Sequence, residues 1–214
     1  MEIVWYGLNC FRLTERGMAA VVTDPYDPSV GLNMSRLRAD IVTVSRNIPE
    51  CNHARAVRGP FRVLDTPGEY EIGGVFITAI ATYADKKKGT ARGINTIFHF
   101  DYGGLTICHL GHLGHVPTQA QIEALGTASI LLVPAGGDGG LTPAEASEVI
   151  SLLEPSIVIP MRYKIPGVTL SLGTLKRFLK QMGIEKAKPR ESLKVSRSSL
   201  PSETEIVVLT PRLE

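Results

Sequence analysis

Near its midpoint the chain changes periodicity, and that change leaves few architectures open. In the first half, Glu2 to Tyr6, Cys10 to Leu13 and Ala19 to Thr23 are short β-type runs with no helical pattern between them. Asp24-Pro25-Tyr26-Asp27-Pro28 then stops the sheet, because proline cannot donate to a ladder and restricts the residue before it. Ile41 to Val44, Val63-Leu64, Tyr70 to Ile72, Val75 to Ala81, Asn95 to Phe100 and Leu105 to His109 read as further strands. Gly73-Gly74 and Asp101-Tyr102-Gly103-Gly104 supply hairpin turns. In the second half, helical stretches alternate with strands. Pro117 to Leu125, Ala146 to Leu153 and Leu172 to Met182 have helical character, the second opened by the capping sequence Thr142-Pro143-Ala144-Glu145. Between and after them, Ile130 to Val133, Ile157 to Ile159 (closed by Pro160) and Ile206 to Leu209 are strand-like. A β-meander followed by strand–helix alternation predicts stacked sheets with helices on the outside.

Composition narrows the function classes. With 214 residues, 43% hydrophobic and 21% charged, the chain has enough apolar residues for one domain spanning 1–214. A net charge of +2 is too balanced to recruit nucleic acid or an anionic membrane by its field. No apolar run approaches the roughly 18 residues of a membrane span, and the N-terminus lacks a basic region followed by an apolar one. The expected location is cytoplasmic. Cys10, Cys51 and Cys108 are widely separated and are expected to be reduced thiols.

The stretch from Asp40 to His53 carries the densest chemistry. Its strand must end at the polar Ser45-Arg46-Asn47 with Pro49 two places on, and the loop that follows holds Arg46, Glu50, Cys51 and His53. Strand ends that open into loops collect reactive side chains, because the sheet fixes the backbone while the side chains face a cleft. A solvated loop with one buried cysteine is the plainer reading of the same residues.

Six segments in order carry a family resemblance: Gly7-Leu8-Asn9-Cys10-Phe11, Val22-Thr23-Asp24-Pro25, the 40–53 strand-loop, Cys108-His109-Leu110-Gly111-His112, Leu132-Val133-Pro134 and Ile159-Pro160-Met161-Arg162-Tyr163. Together they resemble the metallo-β-lactamase superfamily, in its short metal-dependent hydrolase branch similar to ascorbate-6-phosphate lactonase. The resemblance implies an α+β fold, the four-layer αββα sandwich. It also implies a dinuclear metal site built on a strand-loop His-x-His-x-Asp-His, a later His, a bridging Asp and a final His, where a metal-bound water becomes the nucleophile.

Mapped onto that pattern, the chain departs almost everywhere. The first two histidines fall on Arg46 and Ile48, the Asp on Glu50 and the closing His on Cys51; the later positions fall on Ala84, His112 and Arg162. Ile48 and Ala84 cannot bind a metal, and guanidinium groups stay protonated and repel one. The expectation is therefore a non-catalytic member with no cofactor, whose Arg46, Glu50, Cys51, His112 and Arg162 line a cleft. There the two arginines grip a small anionic molecule. A salt-bridged, ligand-free cleft is the plainer outcome. The alternative is a hydrolase of a lactone, ester or phosphoester, using one zinc or manganese ion held by Glu50, Cys51 and His112. Self-association through exposed sheet or helix faces is a further partner expectation. His109 is read as structural, and Gly136 to Gly140 as a flexible rim of the cleft.

Overall fold

The computed structural model describes residues 1–214. Its strands are β1 (Glu2–Trp5), β2 (Phe11–Thr14), β3 (Val21–Thr23), β4 (Ile41–Thr43), β5 (Arg62–Leu64), β6 (Gly68–Ile72), β7 (Val75–Tyr83), β8 (Ile94–Asp101), β9 (Thr106–His109), β10 (Ile130–Pro134), β11 (Ile157–Met161), β12 (Leu193–Lys194) and β13 (Glu205–Ile206). The α-helices are α1 (Gln119–Leu125), α2 (Pro143–Leu153) and α3 (Leu175–Gln181). Two mixed sheets form, of order β12-β1-β2-β3-β4-β5 and β13-β11-β10-β9-β8-β7-β6. The expected α+β sandwich is what the chain builds, with sparse helical cover: α1 lies against β7, and α2 against β10 and α3. No helix is long and apolar enough to cross a membrane.

A single cluster of 60 buried apolar residues fills the interior, with Trp5, Phe11, Phe98 and Phe100 fully enclosed. Trp5 anchors one end of it. Its indole N–H donates to the Leu8 carbonyl at 2.9 Å and its ring packs 5.1 Å from that of Tyr163, so its polar edge is satisfied while its faces are buried.

Strand direction decides where function can sit. β1 to β3 are antiparallel, whereas β3, β4 and β5 run parallel. The meander β6 to β9 is antiparallel, whereas β9, β10, β11 and β13 run parallel. Parallel strands point their C-terminal ends the same way, so the loops after β3 and β4 leave one sheet at a common edge, as do those after β9, β10 and β11 in the other.

Several element boundaries differ from the sequence reading. β11 runs through Pro160, which pairs with Val133, instead of ending before it. Val158, two residues earlier and so on the same side of the strand, accepts the last bond from beyond β13, through Val207 N–H; Pro160 faces the side where the ladder has already stopped and needs no N–H. α3 starts only at Leu175, after Thr174, and β13 covers Glu205–Ile206 rather than 206–209. The two-residue strand β12 was not anticipated.

Candidate functional site

At the common edge the first-sheet loops contribute Asp24 after β3 and Ser45, Arg46, Glu50 and Cys51 after β4. The second sheet contributes Asp85 and Arg92 after β7, His112 after β9, Gly136 to Gly140 after β10 and Arg162 after β11. Leu8, Asp24, Asp138 and Arg162 all hold positive φ (47°, 40°, 55° and 51°). These four make up most of the non-glycine residues in that conformation, and such backbone tends to gather at functional sites.

The floor of the site is a buried polar network. Asp24 is fully enclosed and accepts from the Ser45 N–H at 2.7 Å, the Ser45 hydroxyl at 2.6 Å and the Asn9 amide at 3.4 Å. Burial raises its pKa above the ordinary carboxylate range, against the pull of His109, Ser45 and Asn9. The Asn9 amide also donates to His112 Nδ1 at 3.0 Å, which leaves Nε2 to donate to Glu50 at 3.3 Å. Burial, helped by the charge of Arg162, pushes His112 down to about 3, so its imidazole is neutral at physiological pH. Burial alone would raise Glu50, but the His112 hydrogen bond and the Arg162 charge overcome it and hold the carboxyl at about 2. The Cys51 thiol, enclosed and raised by burial, donates to the Arg46 carbonyl at 2.9 Å. His109 donates from Nε2 to the Asn9 carbonyl at 2.9 Å and supports the floor, which agrees with a structural role.

Above the floor the charges are guanidinium groups. Arg162 is buried and pairs directly with Glu50 through Nη1, while Nη2 lies 3.7 Å from Asp138. Arg92 Nη2 lies 3.7 Å from the other oxygen of Asp138. Arg46, half-buried, donates to the Arg92 carbonyl and has no carboxylate partner. Arg46, Arg92, His112, Asp138 and Arg162 line a small open cleft with Ala84, Leu113, Pro134, Gly137 and Gly140, and its own space is about 10 Å³, room for roughly one water. One wall is the basic turn 86–92, wrapped around the Asp85 carboxylate, which accepts from the amides of Lys87 (2.6 Å), Gly89 (3.1 Å), Ala91 (3.2 Å) and Arg92 (2.6 Å).

All five residues expected in the cleft thus converge, and the salt-bridged arrangement weighed for them is present for Arg162 but not for Arg46. The donor atoms of a candidate metal cluster, within 4.8 Å of one another, belong to Asp24, Cys51 and His112. Asp24 stands there in place of Glu50, which has turned onto Arg162. Asp24, Asn9, Ser45, Arg92 and Asp138 were not identified from the sequence as site residues. The Asp24-Pro25 dipeptide was a usable signal; Arg92 and Asp138 had none beyond lying in basic and glycine-rich loops.

The family described as "Beta-lactamase superfamily domain" matches residues 2–162. A protein of Thermoplasma acidophilum called a UPF0173 metal-dependent hydrolase is 28% identical over 191 residues, covering 76% of this chain and 83% of that one. A crystal structure from Thermotoga maritima, described as a candidate Zn-dependent hydrolase of the metallo-β-lactamase superfamily, is 37% identical with a TM-score of 0.80, covering 97% of both chains. A metallo hydrolase from Ignicoccus hospitalis shares the fold at 17% identity, with a TM-score of 0.65 and coverage of 91% of this chain and 99% of that one.

Proposed function

The chain belongs to the β-lactamase superfamily domain family, and from that premise we propose that its cleft binds a small anion without hydrolysing it. The observation that carries this reading is Arg46, a half-buried guanidinium with no carboxylate partner beside two further arginines. An uncompensated cation in a partly desolvated cleft attracts an anion more strongly than the same charge in water. The donor set argues against a metal. Both His112 nitrogens are hydrogen-bonded and the Arg162 guanidinium lies on Glu50. The three free, buried thiols accord with a cytoplasmic setting.

Calorimetry with inorganic phosphate and acetate tests the reading: weak, salt-sensitive binding is expected for the native chain, lost in Arg46→Gln. Binding indifferent to Arg46 sinks it.

A second reading has its own support, in the approach of Asp24, Cys51 and His112 and in the name borne by the relatives. There, one zinc or manganese ion would supply an ionised water for cleavage of a lactone, ester or phosphoester. Metal analysis of protein purified without chelators separates the two. Stoichiometric metal, lost on Cys51→Ser or His112→Ala, would favour the second reading, and metal-free folded protein the first.

A further inference from the structure

We propose that Asp138 is a built-in occupant of the arginine cleft, and that the ligand displacing it is a tetrahedral dianion of the phosphate type. The proposal rests on the anion-binding reading above.

The two carboxylates of the cleft are held very differently. Glu50 is bonded directly to Arg162 and accepts from His112, so it belongs to the floor. Asp138 places one oxygen 3.7 Å from Arg92 and the other 3.7 Å from Arg162. Both separations are too long for hydrogen bonds, so charge alone holds it between the two guanidiniums. Its neighbours Gly137 and Gly139, at φ 68° and 73°, give the backbone on either side the freedom to turn it away.

The opposite wall is firm. Four amides of the 86–92 turn are fixed on Asp85, and Lys86 reaches across to Glu145 in the first turn of α2 at 2.6 Å. Arg92 also lies against the glycine loop, since a Cβ on Gly139 would come within 2.5 Å of its guanidinium carbon. When an occupant is exchanged, Asp138 is therefore the part that moves.

Charge and shape then select the ligand. Arg46, Arg92 and Arg162 present three guanidiniums to the cleft, while Glu50 lies on Arg162, Asp24 is enclosed in the floor and Asp85 is taken up by the amides of the 86–92 turn. With Asp138 withdrawn, Arg46 and Arg92 have no carboxylate partner and Arg162 keeps only Glu50. A monocarboxylate would only restore what Asp138 already provides, with two oxygens for three guanidiniums. A phosphate-type dianion presents an oxygen to each arginine and brings more charge than the carboxylate it displaces.

The test is calorimetry at low ionic strength on the full chain, with inorganic phosphate as probe and acetate as comparator. Asp138→Asn is the informative variant because Asn tolerates the left-handed backbone that this position requires. It should bind phosphate roughly five- to tenfold more tightly than the native chain, the gain expected from removing two loose ion pairs. Asp138→Glu, which keeps the charge, should show no gain, and adding Arg46→Gln to Asp138→Asn should abolish it. If the native chain binds phosphate and Asp138→Asn binds it equally or less tightly, the role of Asp138 is overturned while the anion cleft stands. If acetate gains as much as phosphate, the dianion assignment is overturned. If neither protein binds any anion, both retaining native circular dichroism and melting behaviour, the cleft reading falls as well.

Discussion

Arg162 and Glu50 depend on each other. The Arg162 guanidinium is nearly enclosed and would be untenable without Glu50, and Glu50 in turn stays ionised only because Arg162 and His112 offset its burial. Removing one member leaves the other charge stranded, so Arg162→Ala should cost about 3 kcal/mol in urea unfolding. Adding Glu50→Gln should recover part of that loss, and a double variant no better than the single would show that the pair is not coupled. His112 gives stability a pH dependence of known sign. Its folded pKa of about 3 lies below the ordinary 6.5, so as pH falls through 6.5 the unfolded chain takes up a proton that the native imidazole refuses. Stability should therefore decline below pH 6.5, with a slope from this residue approaching 1.4 kcal/mol per pH unit, roughly, until pH nears 3. Glu50 adds to the loss only further down, as pH falls from about 4.3 toward 2. Asp24, raised by burial, works the opposite way and regains stability on protonation. Unfolding of His112→Asn compared with the native chain at pH 7.5 and 5.5 isolates the histidine term; equal losses in both would refute it.

At the level of elements, the site depends on loops that pass unusually close to one another. Gly136 lies just past β10 where a Cβ would be 2.1 Å from the Arg162 carbonyl oxygen, a backbone atom that cannot step aside. Gly136→Ala should therefore lower stability by about 1–3 kcal/mol and disturb Arg162 in particular, which denaturant unfolding and the pH profile together would detect. The turn 86–92 owes its shape to one carboxylate. In Asp85→Ala, hydrogen exchange at the amides of Lys87, Gly89, Ala91 and Arg92 should speed up on the order of tenfold, while β7 and β8 remain protected. Unchanged exchange would mean that the turn holds without its acceptor. Much at this scale was legible beforehand. The Gly73-Gly74 hairpin lies between β6 and β7, and Thr142 and Glu145 make the reciprocal capping box that their spacing announced. Pro160 misled because local rules bar proline from a ladder, while its side of β11 has no ladder left at that point.

For the whole molecule, the single apolar cluster spans both sheets, and we expect one cooperative unfolding unit over residues 1–214. Differential scanning calorimetry should give one transition with calorimetric and van't Hoff enthalpies in agreement, whereas two resolved transitions would divide the chain. Exposed Phe76 and Ile94 sit at opposite ends of the β7–β8 pair, Val63 on the edge strand of the other sheet and Leu152 on α2. They are spread over several elements, and single exposed apolar side chains of this kind are ordinary. Side-chain periodicity and turn chemistry, both local properties, were enough to specify the β-rich first half and the alternating second half, and the family resemblance, not periodicity, pointed to Arg46, Glu50, Cys51, His112 and Arg162 as cleft residues. Which carboxylates those guanidiniums meet was settled only in three dimensions. Asp24, Asp138 and Arg92 reach the cleft from loops far apart in the chain, and their meeting follows from the shared direction of parallel strands, a relation between distant segments that no short window of residues encodes.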